Sequence, residues 1–324
     1  MRQGLGDLVE LLRCGRLAIG SAAAVRFAGQ TIGDLSSAYD RVVARIIECE
    51  IRDLAERIRV SGALRSTSMR IGMAMLHFAR LTGCEQRLEV SALAGAVTRL
   101  YDDLIDGSAE PSLDTRLSDL FGGRAFVAEN DLERLLAELI GEIRLRAQPI
   151  DAAVVALNSL HEYQSLSRRQ REGDLPEAVL EKICRGKGAM ANLTLCSLLK
   201  PGMGAGEREL VMALGEAFQS LDDYIDVEQD SRNGVTTLAA LGVTTLTDIG
   251  QRMRQLRPRM VSYYGAARAR WYCGMIYFLL LNAVVDRRFP FIGRIARRLA
   301  RRSTLVTFVT PGWEAVAAAG TVNP

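Results

Sequence analysis

The chain has 324 residues, of which 48% are hydrophobic and 24% are charged. This is the composition of a globular protein, so it excludes extended disorder, a collagen-like repeat and a coiled-coil rod. The formal net charge of only +3 leaves no electrostatic footprint for nucleic acid, and we predict no nucleic-acid partner. At roughly 100–200 residues per domain, the length allows one large domain or two small ones.

Helical periodicity runs through nearly the whole chain, and strand alternation is nearly absent. Between Leu35 and Val60 the apolar residues recur at three- and four-residue steps, which predicts one long amphipathic helix. Breakers such as Ser61-Gly62 and Pro201-Gly202 separate the helical segments. Similar patterns predict further helices over Met69–Leu81, Val90–Ile105, Leu132–Leu145, Val154–Leu166, Leu180–Leu199, Leu210–Val227 and Arg259–Val285. We therefore predict an all-α protein of about nine or ten helices.

Three segments are predicted along the chain. No linker rich in Pro or Ser divides the helices and no repeat of roughly 20–50 residues is visible, so residues 35–286 are predicted to form a single domain. Residues 1–34 are predicted to form a helical appendage. In residues 287–324, the stretch Arg287–Arg302 carries seven arginines opposite an apolar arc. This pattern predicts a basic amphipathic helix that contacts an anionic membrane, with a solvated face packed on the body as the alternative.

The cysteines and the apolar segments indicate the compartment. The six cysteines are scattered without C-x-x-C spacing, which argues against structural zinc or a disulfide framework and favours reduced thiols. The longest apolar run, Tyr272–Val285, is shorter than the roughly 20 residues that cross a bilayer. Asp7 and Glu10 precede the apolar stretch Leu17–Val25, where a secretory signal has a cationic segment. We predict a cytoplasmic protein whose only membrane contact is peripheral.

Two acidic segments of the form D-D-x-x-D each end a strongly apolar helical stretch. They are Y-D-D-L-I-D at Tyr101–Asp106 and L-D-D-Y-I-D at Leu221–Asp226. Residues four apart lie on one face of a helix, so Asp102 and Asp106 point the same way. The same spacing extends over two turns in the second segment, through Asp222, Asp226 and Asp230. The sequence therefore predicts two stripes of carboxylates.

Such stripes need compensating cations. Carboxylates on the apolar side of a helix repel one another and are costly to desolvate. Oxygen ligands without His or Cys select a hard ion, and Mg²⁺ typically takes one or two protein carboxylates, several waters and substrate phosphates. The pattern thus predicts Mg²⁺ and a diphosphate-bearing substrate. The alternative for either segment alone is a solvated acidic patch, although acids at a helix C-terminus oppose the macrodipole.

The segment Ile183–Asp230 resembles the class I isoprenoid synthases, and within them the trans-prenyltransferase-like branch. The resemblance is carried by Lys187 with Gly188 and by the run Gly215–Asp226, which is similar to the family signature F-Q-x-x-D-D-x-x-D. A weaker likeness extends back to about Leu35. The resemblance implies a single catalytic domain, a helical bundle around a central apolar cavity, with the two acidic helix ends facing each other across its mouth.

The resemblance also implies roles for individual residues. Mg²⁺ is the implied cofactor, as a set of about three ions that bridge the acidic segments to the diphosphate. The implied metal ligands are Asp102, Asp103, Asp106, Asp222, Asp223, Asp226 and Asp230. The predicted diphosphate-binding cations are Lys187, Arg232 and Arg99. The residues predicted to be catalytic are Asp102, Asp106, Asp222, Asp226 and Lys187.

The predicted substrate is an acyclic prenyl diphosphate with about 15 carbons or more. Its allylic carbocation has to be shielded from water by an apolar and aromatic wall. Candidate wall residues, each with ordinary core packing as its alternative, are Phe78, Leu100, Met190, Leu193, Phe218, Gln219, Tyr277 and Phe278.

Two segments depart from the pattern of chain-elongating synthases. Those enzymes hold isopentenyl diphosphate with a G-G-K-x-x-R-P segment, but Ser61–Ser66 lacks its lysine and proline. Their Arg-Arg pair is likewise missing from Gly107–Arg116. Binding a second diphosphate takes fixed cations. We therefore predict a Mg²⁺-dependent class I terpene synthase, a carbon–oxygen lyase that ionises one prenyl diphosphate and then cyclises it or eliminates a proton.

Two alternatives stay open. The first is a trans-polyprenyl diphosphate synthase or other prenyltransferase, because Arg65 and Arg70 would restore part of a second diphosphate site. The second lies outside the enzymes and is a catalytically silent helical subunit that partners an active synthase, although complete acidic segments argue against it. A homodimer is left open alongside a monomer.

Overall fold

The structure, a computed structural model, describes residues 9, 12, 13, 22–107, 110–173 and 175–288. Within these residues the backbone forms helices and turns without any β-strand, and the predicted all-α class is confirmed. The α-helices described are α1 (Ala22–Tyr39), α2 (Arg45–Glu50), α3 (Leu54–Thr82), α4 (Leu88–Gly107), α5 (Pro111–Gly122), α6 (Asp131–Arg146), α7 (Asp151–Ser167), α8 (Glu177–Leu199), α9 (Ala205–Ile225), α10 (Val227–Arg232), α11 (Leu246–Tyr264) and α12 (Ala266–Arg288). A π-helical segment, Asp40–Ala44, joins α1 to α2, and a 3₁₀ helix, Arg168–Arg171, follows α7.

The contacts divide the chain into two compact units. In the unit Arg26–Ile150, α4 packs on α3 and on α6. In residues 151–288, α8 packs on both α7 and α9, while α11 packs on α9 and α12. Each acidic segment therefore ends a helix that packs on at least two others, α4 in one unit and α9 in the other. The predicted domain limits at residues 35 and 286 stay a prediction.

The prediction of a single helix over Leu35–Val60 is wrong. The helical path through α1 and α2 ends because Ile51 takes extended backbone angles, φ −102° and ψ 109°. A new helix, α3, then begins at Leu54, where the side chain of Asp53 accepts a hydrogen bond from a first-turn backbone N–H at 2.8 Å. This N-cap satisfies a donor that the helix start leaves unpaired, so it decides where α3 begins.

Two further boundaries differ from the prediction. Helix α3 runs through Ser61-Gly62, which was predicted to be a break, because a single glycine costs a long helix only about 1 kcal/mol. The helix predicted over Arg259–Val285 is instead divided at Gly265, whose φ of +82° ends α11. Glycine adopts this left-handed φ without the steric cost that a Cβ brings.

The predicted segments at the two ends fall largely outside the described residues. Helix α1 includes residues 22–34 of the predicted appendage, and α12 is described as far as Arg288. The basic amphipathic helix predicted over Arg287–Arg302 lies beyond it, and its membrane contact stays a prediction. Among the described helices, none is long and apolar enough to cross a bilayer.

Glycines let the helices that carry the acidic segments cross their neighbours at backbone distance. A Cβ added at Gly95 on α4 would lie 2.5 Å from the Cα atom of Ser68 on α3. A Cβ added at Gly188 on α8 would lie 2.6 Å from Cβ of Gln219 on α9 and closer still to the carbonyl oxygen of Gly215. Only hydrogen fits at these positions, so both crossings depend on glycine.

Each crossing lies two turns before an acidic segment. Gly95 precedes Asp102 by seven residues, and Gly215 precedes Asp222 by seven. At 3.6 residues per turn, seven residues return to nearly the same helix face. The first aspartate of each segment therefore stands on the side of its helix that approaches the preceding helix.

A buried ion pair fixes the other end of the α8–α9 pair. Lys200 Nζ donates to both carboxylate oxygens of Glu207 at 2.7 Å, and Tyr264 Oη donates to Glu207 Oε1 at 3.0 Å. Burial and the neighbouring carboxylate raise the pKa of Tyr264, so its hydroxyl stays protonated and can donate. With Glu207 only 2% exposed, these three bonds tie α8, α9 and α11 together.

Methyl groups at the two crossings should destabilise the fold. We expect Gly95→Ala and Gly188→Ala each to lower the free energy of unfolding by about 1–3 kcal/mol, because the added carbon overpacks a backbone contact. The control is Gly141→Ala on α6, where an added Cβ meets nothing within 4 Å. It should be neutral or stabilising by up to about 1 kcal/mol. Urea unfolding followed by circular dichroism compares the three, and equal midpoints would contradict the close crossings.

Candidate active site

The first acidic segment forms the last turns of α4. Tyr101, Leu104 and Ile105 are buried, which anchors this end of the helix. Asp102 is half-buried and Asp106 is exposed. Because these two aspartates are four residues apart, their carboxylates share one helix face. The helix end thus presents two carboxylates above an apolar base.

Asp103 is held by Arg99, one turn earlier on α4. Arg99 Nε lies 3.0 Å from Asp103 Oδ2, and Nη2 lies 2.8 Å from Oδ1, so the pair is bidentate. Both side chains are more than a third exposed, and such a helix pair contributes only about 0.3–0.5 kcal/mol. The ion pair orients the Asp103 carboxylate and engages the Arg99 guanidinium. The roles of Asp103 as a metal ligand and Arg99 as a diphosphate cation stay predictions.

The second acidic segment spans the junction of α9 and α10. Asp222 is exposed, while Asp226, with φ −90° and ψ 6°, and Asp230 are half-buried. The Asp226 N–H donates to the Asp222 carbonyl at 2.9 Å, and the Asp230 N–H donates to the Asp226 carbonyl at 2.8 Å. Helical hydrogen bonding therefore continues through the junction and keeps the three aspartates one turn apart.

Asp223 of this segment is engaged with protein donors. Gln219 Nε2 donates to Asp223 Oδ1 at 2.8 Å. Burial raises the pKa of Asp223, and the donors Gln219 and Cys184 and the charge of Lys187 oppose that rise. Cys184 and Lys187 lie on α8, so Asp223 links the two helices that cross at glycine. The lysine predicted to bind diphosphate thus stands beside the second acidic segment.

Cys184 is a site residue that the sequence analysis did not identify. It is buried, with Sγ 3.8 Å from Ser220 Oγ, and burial raises the pKa of its thiol. A thiol that stays protonated can donate to the Asp223 carboxylate. Cys184 precedes Lys187 by three residues, which places both on one face of α8. That helical register is the sequence signal from which Cys184 could have been found.

Arg65, which would supply part of a second diphosphate site, is already bound within its own unit. Arg65 Nη1 lies 2.5 Å from Asp40 Oδ1, and Nη2 lies 3.2 Å from Oδ2. Nη2 also donates to Ser36 Oγ at 2.6 Å, and the guanidinium carbon lies 5.1 Å from the Tyr39 ring centroid. The hydrogen bond to Asp40 raises the pKa of Arg65.

Arg116, the cation of the segment Gly107–Arg116, is engaged in the same way. Its Nη1 lies 2.7 Å from a Glu129 oxygen and its Nη2 2.8 Å from a Glu133 oxygen. Glu133 is nearly fully buried, so this network fixes the connection between α5 and α6. Arg70 stays exposed on α3.

The remaining predicted residues are divided between the units. Phe78 and Leu100 are buried in the unit Arg26–Ile150. In residues 151–288, Tyr277 is buried, Met190, Leu193, Phe218 and Gln219 are half-buried, and the side chain of Phe278 lies outside the description. Arg232 is exposed, and its Nε donates to the Glu228 carbonyl at 3.1 Å. A common cavity wall therefore stays a prediction.

The acidic segments fit Mg²⁺ that is only partly coordinated by protein. In the described ranges, no group of three or more His, Cys, Asp or Glu side chains is placed to hold a metal ion unaided. Mg²⁺ takes one or two carboxylates and completes its shell with waters and phosphate oxygens. Asp102 with Asp106, or Asp222 with Asp226, supplies that number. A cage formed entirely of protein ligands does not fit these residues.

The fold has a counterpart among solved structures. No protein-family model matches the chain, and no curated protein matches it. The crystal structure of a geranyltransferase from Legionella pneumophila is similar, with a TM-score of 0.52 and 17% sequence identity, over 81% of this chain and 98% of that one. At this identity the likeness shows the fold alone. The chain therefore has an all-helical, isoprenoid synthase-like fold.

Asp223→Asn should stabilise the protein at neutral pH. Burial raises the pKa of Asp223 in the folded state, so ionisation costs the folded chain more than the unfolded one. Asparagine removes that charge and keeps an acceptor for Gln219. The gain in the free energy of unfolding should be complete above the folded-state pKa of Asp223. It should shrink as the pH falls through that pKa and vanish below the ordinary pKa of 3.8.

Unfolding curves at a series of pH values measure this difference. Asp34→Asn is the control, because Asp34 is exposed on α1, far along the chain from Asp223, and its neutralisation should change stability little at any pH. If Asp223→Asn is less stable than the wild type at neutral pH, the hydrogen-bond donors stabilise the charged Asp223 carboxylate by more than burial destabilises it.

Proposed function

We propose that the chain is a Mg²⁺-dependent enzyme that ionises an allylic prenyl diphosphate. The observation that carries the proposal is the pair of carboxylates at the end of an apolar helix, found once on α4 and once on α9, each two turns beyond a glycine crossing. One fold hosts many functions, so the isoprenoid synthase-like fold supports this proposal and the site carries it.

Each group has a role in the proposed reaction. Asp102 and Asp106 would hold Mg²⁺ at the end of α4, and Asp222 and Asp226 would hold it at the end of α9. When bound, Mg²⁺ withdraws charge from the diphosphate and makes it a better leaving group. Lys187 adds a fixed positive charge beside the departing oxygens. The carbon–oxygen bond then breaks with its electron pair on the diphosphate, and the carbocation stays on the prenyl chain.

Apolar side chains next to these charged groups protect the carbocation. Met190 follows Lys187 by three residues on α8, and Phe218 immediately precedes Gln219 on α9. Both are half-buried, so part of each is available to a ligand. They exclude water that would quench the cation, and the face of the Phe218 ring stabilises positive charge that passes over it.

Two fates of the carbocation are candidates. Transfer to a second prenyl diphosphate, which makes the protein a prenyltransferase, is supported by the likeness to a geranyltransferase and is the better supported of the two. Cyclisation or proton loss, which makes it a terpene synthase, is favoured by the ion pairs of Arg65 and Arg116. Those pairs leave fewer cations for a second diphosphate.

A catalytically silent subunit is the hypothesis outside the enzymes. It predicts no diphosphate release by the isolated chain with any prenyl diphosphate, and turnover that appears only with a partner synthase. The proposed enzyme instead turns over alone, as a monomer or a homodimer.

Loss of either pair of carboxylates should abolish most activity. We expect Asp102→Ala and Asp222→Ala each to lower kcat by about a hundredfold or more, because the charge on the leaving diphosphate is then less well stabilised. Asp34→Ala, which removes an exposed aspartate on α1, is the control and should keep wild-type turnover. Diphosphate release measures kcat, and circular dichroism checks the fold. Full wild-type turnover in excess EDTA would contradict metal dependence.

The acceptor is identified with labelled isopentenyl diphosphate. The chain is incubated with Mg²⁺ and allylic diphosphates of about 10, 15 and 20 carbons, with and without the label. A prenyltransferase incorporates the label into a longer diphosphate. A terpene synthase releases diphosphate and an unlabelled hydrocarbon or alcohol, because its Arg65 and Arg116 are occupied. If the wild-type chain releases no diphosphate under either condition, both the prenyltransferase and the terpene synthase are rejected.

A further inference from the structure

Lys187 on α8 stands between two glycines, Gly186 and Gly188. At 3.6 residues per turn, successive residues point about 100° apart, so the two glycines lie on opposite flanks of Lys187. Each flank is contacted by a neighbouring helix. On the Gly188 flank that helix is α9, where a Cβ added to the glycine would lie 2.6 Å from Cβ of Gln219.

The ring of Tyr163 on α7 covers the Gly186 flank. A Cβ added at Gly186 would overlap three ring carbons of Tyr163, namely Cδ1, Cε1 and Cζ. The ring therefore fills the space that a side chain at position 186 would take, and glycine is the residue that leaves this space open. Tyr163 is half-buried, so the contact forms part of the packing of α7 on α8.

The ring restricts the directions that the Lys187 side chain can take. Lys187 is half-buried, and its charge acts on Asp223 of α9. The Tyr163 ring occupies the other flank, so the flexible stem has less room to turn towards α7. A lysine stem has many rotamers, and restricting them before a ligand arrives improves binding because less entropy is lost on association.

The next cation along the chain is engaged elsewhere. Arg185 Nε lies 2.9 Å from a Glu216 oxygen, and its Nη1 lies 3.4 Å from a Glu181 oxygen. The hydrogen bond to Glu216 raises the pKa of Arg185. Any effect of the ring on the binding of an anion would therefore be carried by Lys187.

We propose that Tyr163 is a positioning residue, whose ring holds Lys187 in the direction from which its ammonium group binds a substrate diphosphate. This inference rests on the proposed function, in which Lys187 contacts the diphosphate, and it adds a residue of α7 to that site. The contact with Gly186 is made by ring carbons, so the ring carries the effect and the hydroxyl is dispensable.

Calorimetric titration with inorganic diphosphate in the presence of Mg²⁺ tests the proposal on the full chain. Tyr163→Leu should weaken binding about fivefold, whereas Tyr163→Phe, which keeps the ring, should bind like the wild type. Lys187→Gln should weaken binding about tenfold or more, because it removes a charge-assisted contact. Adding Tyr163→Leu to Lys187→Gln should cause no further loss, since the ring then has no ammonium group to direct.

Two further substitutions separate the contact from general packing. Gly186→Ala should displace the ring and weaken binding as Tyr163→Leu does, and the two changes together should lose no more than either alone. The matched control is Tyr263→Leu on α11, which changes a tyrosine that is 48% exposed and should leave the affinity unchanged. Circular dichroism melting confirms that each variant folds.

The outcomes distinguish this proposal from the proposed function. If Tyr163→Leu binds diphosphate like the wild type, or loses the same factor with and without Lys187, the positioning role is rejected and the proposed function stands. If the wild type neither binds diphosphate nor releases it from a prenyl diphosphate, both are rejected. Where the wild type turns over, kcat/KM of the same variants gives a second reading, and additive losses there would also contradict the positioning role.

Discussion

The arrangement of the second acidic segment depends on the backbone contact between α8 and α9. Because Gly188 and Gly215 carry no side chain, Cys184 and Lys187 on one helix come within reach of Asp223 on the other. Hydrogen bonds weaken steeply beyond about 3.5 Å. A separation wider by one methyl group would therefore remove the thiol donor and weaken the effect of the lysine charge. The electrostatics of this site therefore depend on glycine at positions 188 and 215.

On α4 the glycine has the same spacing from the acidic segment, but the charge of the middle aspartate is balanced in a different way. There the cation next to the middle aspartate comes from the same helix, as Arg99 paired with Asp103 at an exposed position. On α9 the corresponding cation, Lys187, comes from the neighbouring helix and acts on a carboxylate whose pKa is raised by burial. The first arrangement survives small shifts of helix packing because it is local. The second requires that α8 and α9 keep their register.

The sequence predicted the helices and the acidic segments because both are properties of short stretches of chain. Apolar periodicity and i, i+4 spacing need no knowledge of neighbours. The break before α3 was missed because Leu54 and Ile58 continue that periodicity, although both prove to be about two-thirds exposed. The Cys184 donor to Asp223 was missed for a related reason. The spacing of residues along α9 does not reveal which side chains of α8 contact that helix.

In the proposed reaction, the fate of the carbocation would depend on free cations more than on the fold. For Arg65 to hold a second diphosphate, it would have to leave Asp40 and Ser36 and its place over the Tyr39 ring. The ion pair is about half exposed, so it is worth about 0.2–1 kcal/mol, and the ring contact adds about 0.5–1 kcal/mol. Such a cost weakens binding about tenfold. In the proposed enzyme, the ion pair of Arg65 would therefore reduce the affinity for an acceptor diphosphate, and the absence of a lysine from Ser61–Ser66 would remove a fixed contact to it.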